Sequence, residues 1–184
     1  MLISLIIIFI LIIIIINIYN SLIRKKNEVE NAFAGIAVQL KKRYDMIPNL
    51  VATVKEFSNH EKELLEKITA LRSQLMGSSL SQDEKLGVDN EITSGIKQLL
   101  VSVENYPELK ANENFMLLQR SLNEIEAQLS ASRRSFNHDV TKFNNAIQIF
   151  PNNIIAGMMN LTAKTCFEVS AEEEKNVNVQ ELFK

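Results

Sequence analysis

The hydrophobic pattern begins with a strongly apolar run that only Ser4 and Asn17 interrupt between residues 2 and 18. A helix rises about 1.5 Å per residue, so this run can cross most of a bilayer core of about 30 Å. A buried helix or strand of a soluble core is the competing interpretation, but an apolar run of this length favours a membrane span. No basic residue precedes the run, which argues against a cleaved signal peptide. The sequence therefore predicts a membrane anchor over residues 1–20.

From Val29 onward, apolar residues recur every seven positions along two parallel lines. Twelve of the fourteen positions on these lines are apolar, and the phase continues unchanged past Pro48. The pattern predicts one helix over residues 22–76 that continues from the anchor. Pro48 cannot donate a hydrogen bond to the Tyr44 carbonyl and should kink this helix. The alternative is that the chain splits into two helices at the proline.

A second body helix is predicted over residues 82–105, with apolar residues at three- and four-residue spacing. Ser81 and Glu84 have the spacing of a capping box at its start. Gly87 and Gly95 each cost about 1 kcal/mol relative to alanine, so this helix is expected to be the least stable part of the body.

The third helix, predicted over residues 108–150, has the most regular seam in the chain. Its seam residues recur every seven positions: Phe115, Leu122, Leu129, Phe136, Phe143 and Phe150. Pro151 should end this helix, and a short helix is predicted over residues 152–158. Residues 161–184 read as an irregular, loosely packed tail.

Three or four helices with such seams can bury them only against one another. The expected fold class is all-α, with an N-terminal transmembrane helix that continues into an elongated up-and-down helical bundle. The predicted domains are an anchor over residues 1–20, a bundle over 21–160 and the tail. Long heptad runs also permit pairing between chains, so a homo-oligomer or a protein partner is expected.

Charge is unevenly distributed along the chain. Residues 1–60 hold seven Lys and Arg against four Asp and Glu, and the remainder holds thirteen against eighteen. Arg24, Lys25 and Lys26 closely follow the anchor, and the positive-inside rule then predicts an outer N-terminus and a cytoplasmic body in the cell membrane. An anionic leaflet attracts each basic residue by about 1 kcal/mol, so membrane lipid is an expected partner. Nucleic acid is not expected, because the body is acidic.

Polar residues interrupt the apolar seams at a few positions. Arg43 and Glu61 occupy seam positions where an aliphatic residue would be more stabilising. Each charge either pairs with another helix and fixes register, reaches solvent, or marks a surface that a partner uses. Asn137, Asn144 and Arg134 form a second polar line, where hydrogen bonds between helices are expected.

Candidate catalytic groups are sparse. His60 and His138 are the only histidines, and neither lies in a His-Glu-x-x-His motif. Cys166 is the single cysteine, so no intrachain disulfide or cysteine-based zinc site can form. Phosphate-binding glycine loops and nucleophile elbows are absent from the sequence. No enzyme activity, cofactor, metal or small-molecule substrate is therefore predicted.

The most specific sequence block is Arg-Tyr-Asp-Met-Ile-Pro-Asn-Leu-Val at residues 43–51. Further distinctive residues extend to the end of the third helix: His60, Glu61, Tyr106, Pro107, Arg133, Arg134, Phe136, Asn137, Phe143, Asn144, Phe150 and Pro151. Together these blocks resemble the LemA family of bacterial and archaeal membrane proteins, from which Ser135 and the tail depart. The resemblance implies one N-terminal anchor with the N-terminus outside, a cytoplasmic bundle and no established enzyme activity. A magnetosome-membrane relative implies a part in organising or shaping membranes.

Two functions are weighed on these observations. The first is a non-enzymatic scaffold or membrane-organising protein that acts through self-association and contact with anionic lipid. The alternative is an adaptor or regulatory subunit of a membrane enzyme such as a protease. The candidate interaction surface lies around the predicted kink and comprises Arg43, Tyr44, Asp45, Pro48, Asn49 and Glu61. A hydrolase that uses His60 or Glu61 would lack the remaining catalytic groups.

Overall fold

The computed structural model describes residues 2–57, 61–77 and 82–167, and within these ranges the chain forms helices and no β-strand. This confirms the predicted all-α class. A short 3₁₀ turn at Val103–Asn105 separates the third and fourth helices. The helices are α1 (Leu2–Phe57), α2 (Lys62–Gly77), α3 (Gln82–Ser102), α4 (Pro107–Lys110), α5 (Glu113–Gln148) and α6 (Asn152–Met158).

The chain forms two compact units. The terminal unit comprises Met1–Ile36 and Ala131–Lys184, and the central unit comprises Ala37–Ser130. Both α1 and α5 contribute to each unit, because each of these long helices passes through a unit boundary.

The first body helix differs from the single helix predicted over residues 22–76. α1 passes through Pro48 and the break falls later, between α1 and α2, where the sequence Ser-Asn-His has low helix propensity. Arg72 of α2 donates a hydrogen bond to the Tyr44 carbonyl of α1, so α2 runs back beside α1. Because the heptad phase is kept across this reversal, periodicity alone could not reveal it.

The central unit is a helical bundle in which α1, α2 and α3 alternate in direction. Lys67 of α2 pairs with Glu91 of α3 at 3.4 Å, and Leu64, one turn earlier on α2, lies near Gly95, one turn later on α3. Buried apolar side chains from all five helices of this unit form its core: Ile47, Leu50, Val54, Leu65, Ile68, Val88, Ile92, Ile96, Leu99, Leu109, Phe115 and Leu122. The seams predicted for these helices therefore mark the observed core.

Gly95 allows α2 and α3 to approach closely. A Cβ atom at this position would lie 2.9 Å from Cγ1 of Ile68, and Ile68 is fully buried. Gly87, in the same helix, has no neighbouring atom within 4 Å of the position that a Cβ would take. Only Gly95 therefore has a packing reason to be glycine.

The terminal unit contains the N-terminal apolar run. The large apolar side chains from Leu2 to Ile16 are 43–75% exposed, and an 18-residue window of α1 has a mean hydropathy of 3.2 with none of it buried. By length and composition, α1 is a candidate membrane span. A lipid environment would satisfy this exposed surface, as a soluble core does not cover it.

The body of the terminal unit follows the predicted seams up to the end of α5. Val29, Ile36, Phe136 and Phe143 are buried, as predicted. Phe150, predicted to continue the seam, is instead 76% exposed because α5 ends two residues earlier and the chain turns there.

A tight turn follows α6 and reverses the chain. Asn160 adopts a positive φ of 53°, and its N–H donates to the Gly157 carbonyl. The N–H of Leu161 donates to the Ala156 carbonyl, which completes the pattern of a Schellman motif. Asparagine is one of the few residues that tolerate the left-handed conformation that this motif needs.

Two asparagines of α5 bind the returning chain by its backbone. The Asn144 side chain both donates to the Lys164 carbonyl and accepts from the Lys164 N–H, at 2.8 and 2.9 Å. Asn137 makes the same pair of bonds with Phe167, at 2.9 and 2.8 Å. The predicted bonds between helices are thus bonds to an extended segment, and the chain from Lys164 to Phe167 is docked rather than loosely packed.

We expect Gly95→Ala to destabilise the protein. Overpacking against buried Ile68 costs about 1–3 kcal/mol, which exceeds the gain of about 1 kcal/mol in helix propensity. Gly87→Ala is the matched control and should be neutral or stabilising. Chemical unfolding of the full-length protein in detergent micelles, followed by circular dichroism, measures both. An equal effect of the two substitutions would contradict the packing role of Gly95.

Candidate functional site

A buried cluster of charged side chains lies within the central unit, and Arg43 of α1 is its centre. The Arg43 side chain is only 3% exposed, although it occupies a seam position of a helix. Its guanidinium forms an ion pair with Asp89 of α3 and a second one, at 3.1 Å, with Glu126 of α5. The expectation of a partner on another helix is therefore confirmed for Arg43, which joins three helices.

Tyr44 adds a hydrogen bond to the same carboxylate. Its hydroxyl donates to Oδ1 of Asp89 at 2.5 Å, and the Arg43 guanidinium lies 5.7 Å from the centre of the tyrosine ring. The Asp89 side chain is 5% exposed, whereas that of Glu126 is 49% exposed. We call Arg43, Tyr44, Asp89 and Glu126 the polar cluster. The two carboxylates that pair with Arg43 thus differ in their access to water.

The surroundings of Arg43 and Tyr44 keep both side chains protonated. Burial by itself lowers the pKa of Arg43, but the charges of Asp89 and Glu126 outweigh this effect and the pKa is raised. Burial, and then the Asp89 charge, raise the pKa of the Tyr44 hydroxyl well above its ordinary value. Arg43 therefore stays charged and Tyr44 stays a donor at physiological pH.

Pro48 creates a second link between helices next to the polar cluster. A proline within a helix has no N–H to donate to the carbonyl four residues earlier, which here is Tyr44. Nε of Arg72, on α2, donates to this carbonyl at 2.7 Å. The bond that the proline removes from α1 is thus replaced by a bond from the neighbouring helix.

The remaining residues of the predicted interaction surface do not belong to the polar cluster. Asp45, Pro48 and Asn49 are exposed on α1, and Asp45 forms an exposed ion pair with Lys41 at 2.7 Å. Glu61 is half-buried just before α2, where its carbonyl accepts the Leu65 N–H. Because Arg43 and Tyr44 are buried, the exposed residues of the predicted surface on α1 are Asp45, Pro48 and Asn49, and the use of this surface by a partner stays a prediction.

The predicted membrane-proximal basic residues follow the apolar run on α1. Arg24 is exposed, while Lys25 and Lys26 are half-buried. Nζ of Lys26 lies 3.8 Å from a carboxylate oxygen of Glu30, and the two side chains are 42% and 55% exposed. Such an exposed pair contributes little to stability, so these cations are available to other partners.

The sequence offers His60, His138 and Cys166 as candidate metal ligands or nucleophiles. Within them, no group of three or more His, Cys, Asp and Glu side chains could hold a metal ion. His60 lies outside the described residues. Cys166 is exposed in the docked segment, where its Sγ lies 3.9 Å from the Asn137 carbonyl.

Sequence reasoning missed Asp89, Glu126 and Arg72. A signal existed for Asp89, because a charge in an apolar seam requires a counter-charge on another helix, and Asp89 lies beside the seam of α3. Arg72 could have been sought as a donor for the carbonyl that Pro48 leaves free. Glu126 could not have been identified as a partner of Arg43, because no sequence feature distinguishes it from the other acidic residues of the chain.

The fold and this site define an all-helical protein with a candidate N-terminal membrane anchor and a central unit that contains a buried cluster of charged side chains. The LemA family model matches residues 32–180. Protein LemA of Metamycoplasma hominis is 29% identical over 163 residues, which cover 89% of this chain and 74% of that protein. The chain belongs to the LemA family.

Removal of Arg43 alone should strongly destabilise the protein. Arg43→Met takes the Arg43 charge away from the buried Asp89 carboxylate, which costs about 3–5 kcal/mol. Arg43→Met combined with Asp89→Leu removes both charges and should recover most of this loss. Lys41→Met, which breaks an exposed pair on the same helix, should cost less than about 1 kcal/mol. Urea unfolding of the full-length protein in detergent compares the wild type with these three variants; a double variant no more stable than Arg43→Met would contradict the pairing.

Arg72 and Pro48 should show energetic coupling. Arg72→Met leaves the Tyr44 carbonyl without a donor and should cost about 1.5–3 kcal/mol, as for bonds to charged groups. In a Pro48→Ala background the alanine N–H can bond this carbonyl, so the same change should cost clearly less. Unfolding free energies of the wild type, both single variants and the double variant give the coupling. No coupling would show that Arg72 does not replace the missing helical bond.

Proposed function

We propose that the protein is a non-enzymatic, membrane-anchored scaffold that acts through self-association and contact with anionic lipid. The observation that carries this proposal is the continuity of α1, which joins an exposed apolar run directly to the body in one helix of 56 residues. The LemA family is not known as an enzyme family, which agrees with a binding role. The proposed location is the cell membrane, with the N-terminus outside and the body cytoplasmic.

The basic residues at the start of the body support the lipid part of the proposal. Arg24, Lys25 and Lys26 follow the apolar run within two helical turns. Each basic residue near an anionic surface contributes about 1 kcal/mol of attraction, and the attraction decreases steeply beyond a Debye length. The same residues favour retention of this side of α1 in the cytoplasm.

Exposed apolar side chains of the central unit support self-association. Val101 is 71% exposed, Leu117 60% and Val38 53%. Single exposed apolar residues are common on soluble proteins, so these positions indicate contact surfaces only together with the long seams of α1 and α5. A second copy of the chain is the proposed partner.

An adaptor or regulatory subunit of a membrane enzyme, such as a protease, is the second candidate. The observation that favours it is the exposure of Asp45, Pro48 and Asn49 on α1, at the most distinctive sequence block of the chain. The polar cluster beneath them holds this part of α1 in place, as a docking surface requires.

The proposal is tested on full-length protein extracted from its native membrane together with the surrounding lipid. Intact-mass measurement should give multiples of the chain mass, and the lipid that accompanies them should be enriched in anionic headgroups. Arg24→Gln, Lys25→Gln and Lys26→Gln together should abolish this enrichment. Lys41→Gln, Lys42→Gln and Lys55→Gln remove three exposed cations of the body as the matched control and should keep the enrichment.

Two results would contradict the scaffold. A monomer without anionic enrichment would exclude both proposed activities. A fixed one-to-one complex with one membrane enzyme would instead establish the adaptor.

A further inference from the structure

An exposed apolar patch covers the end of the terminal unit where α5 passes into α6. Its four side chains are Ile149, Phe150, Ile154 and Met158, which are 58%, 76%, 57% and 80% exposed. We call these residues the α6 patch. An aromatic and three long aliphatic side chains grouped within ten residues are more than the scattered apolar exposure of ordinary surfaces.

The polarity of α6 is unusual for a helix at a protein surface. Ile155 and Ala156 are buried against the unit, and Ile154 and Met158 point away from it. The whole helix, Asn-Asn-Ile-Ile-Ala-Gly-Met, carries no charged residue. Its outward face is therefore apolar where water would favour polar side chains.

The α6 patch lies at the level where the apolar run of α1 ends. The rings of Phe33 and Phe136 are 5.9 Å apart. The remainder of α5 belongs to the same unit as the part of α1 that precedes Phe33, so the two helices run antiparallel there. Gln148, the last residue of α5, lies twelve residues after Phe136, and Ser21 lies twelve before Phe33, each about 18 Å away along a helix. The end of α5, where the α6 patch begins, is thus at the height of Ser21, just after the apolar run of α1.

The burial pattern supports this placement. Leu22 is fully buried, whereas the apolar side chains from Leu2 to Ile16 are exposed, so the packed part of the unit begins just after the apolar run. Ile147, which the same register places beside Leu22, is also buried. The patch therefore begins where the packed body ends.

The charge of the surrounding chain fits a membrane surface. From Val140 to Phe167 the sequence contains no Asp or Glu, and its charged residues are Lys142 and Lys164. A carboxylate-free stretch with two cations avoids repulsion from anionic headgroups. The basic residues that follow the apolar run on α1 add attraction from the other helix.

We propose that the α6 patch inserts into the interfacial layer of the bilayer beside the anchor, as a second membrane contact of the same chain. This inference rests on the proposed membrane anchoring. An amphipathic helix of this kind lies in the plane of the interface with its apolar face about 5–10 Å deep. The anchor brings the patch to the surface, so insertion requires no separate binding event. The body is thus held at two points and cannot swing freely about one helix.

The chain contains no tryptophan, so one introduced tryptophan reports on its own surroundings without background. Phe150→Trp and Met158→Trp probe the patch in two separate variants. Ile10→Trp, in the apolar run, is the positive control. Ala131→Trp is the matched negative control, because it is exposed on α5 about 26 Å before the end of that helix. Each full-length variant is reconstituted in phosphatidylcholine and phosphatidylglycerol vesicles with brominated acyl chains, which quench nearby tryptophan.

We expect brominated lipid to quench most of the fluorescence of the Phe150→Trp, Met158→Trp and Ile10→Trp variants, and to leave Ala131→Trp unchanged. Quenching of Ile10→Trp alone would overturn the α6 proposal and leave the anchor intact. Absence of quenching at Ile10→Trp would overturn the anchor and this inference together. Patch tryptophans that are shielded from aqueous acrylamide but not quenched by bromine would show that a second copy covers the patch, which also overturns the proposal.

Discussion

The central unit depends on how one stretch of α1 satisfies two groups that a helix interior normally leaves out. Arg43 places a charge in an apolar seam, and Pro48 frees the backbone carbonyl of Tyr44. Neither can be satisfied within α1, so α2, α3 and α5 each supply a partner. Because a buried charge or carbonyl is costly without its partner, these bonds favour one arrangement of the helices over others with equal apolar burial.

The terminal unit uses a different kind of contact to the same end. Its apolar helices pack through Phe136 and Phe143, and the docked segment from Lys164 to Phe167 lies along α5. The Phe167 ring lies 5.1 Å from Phe136 and 6.4 Å from Phe33, so one aromatic side chain contacts both α1 and α5. In both units, specific polar or aromatic contacts therefore fix the helix register, which apolar seams alone would leave free to shift.

The periodicity of apolar residues correctly predicted many of the buried side chains of the helices. The heptad lines identified Leu50, Val54 and Phe115 as core residues because burial follows the helical repeat directly. The reversal before α2 escaped prediction because it kept the heptad phase. The exposure of Phe150 was not predicted, because the heptad spacing continues in the sequence beyond the residue at which the helix ends. The partners of Arg43 and Asn137 lie far away in sequence, and such contacts depend on helix directions that a single sequence does not specify.

The asparagine pairs of α5 have a consequence for how the C-terminal segment can change over evolution. Asn137 and Asn144 grip peptide groups, which every residue except proline presents alike. Seven residues of helix and three residues of extended chain both span about 10 Å. The two asparagines can therefore bind any sequence that adopts an extended conformation and has N–H groups at the two contact positions. We therefore expect Thr165 and Cys166, between the two asparagine contacts, to tolerate substitution better than Phe167, whose ring packs against Phe136.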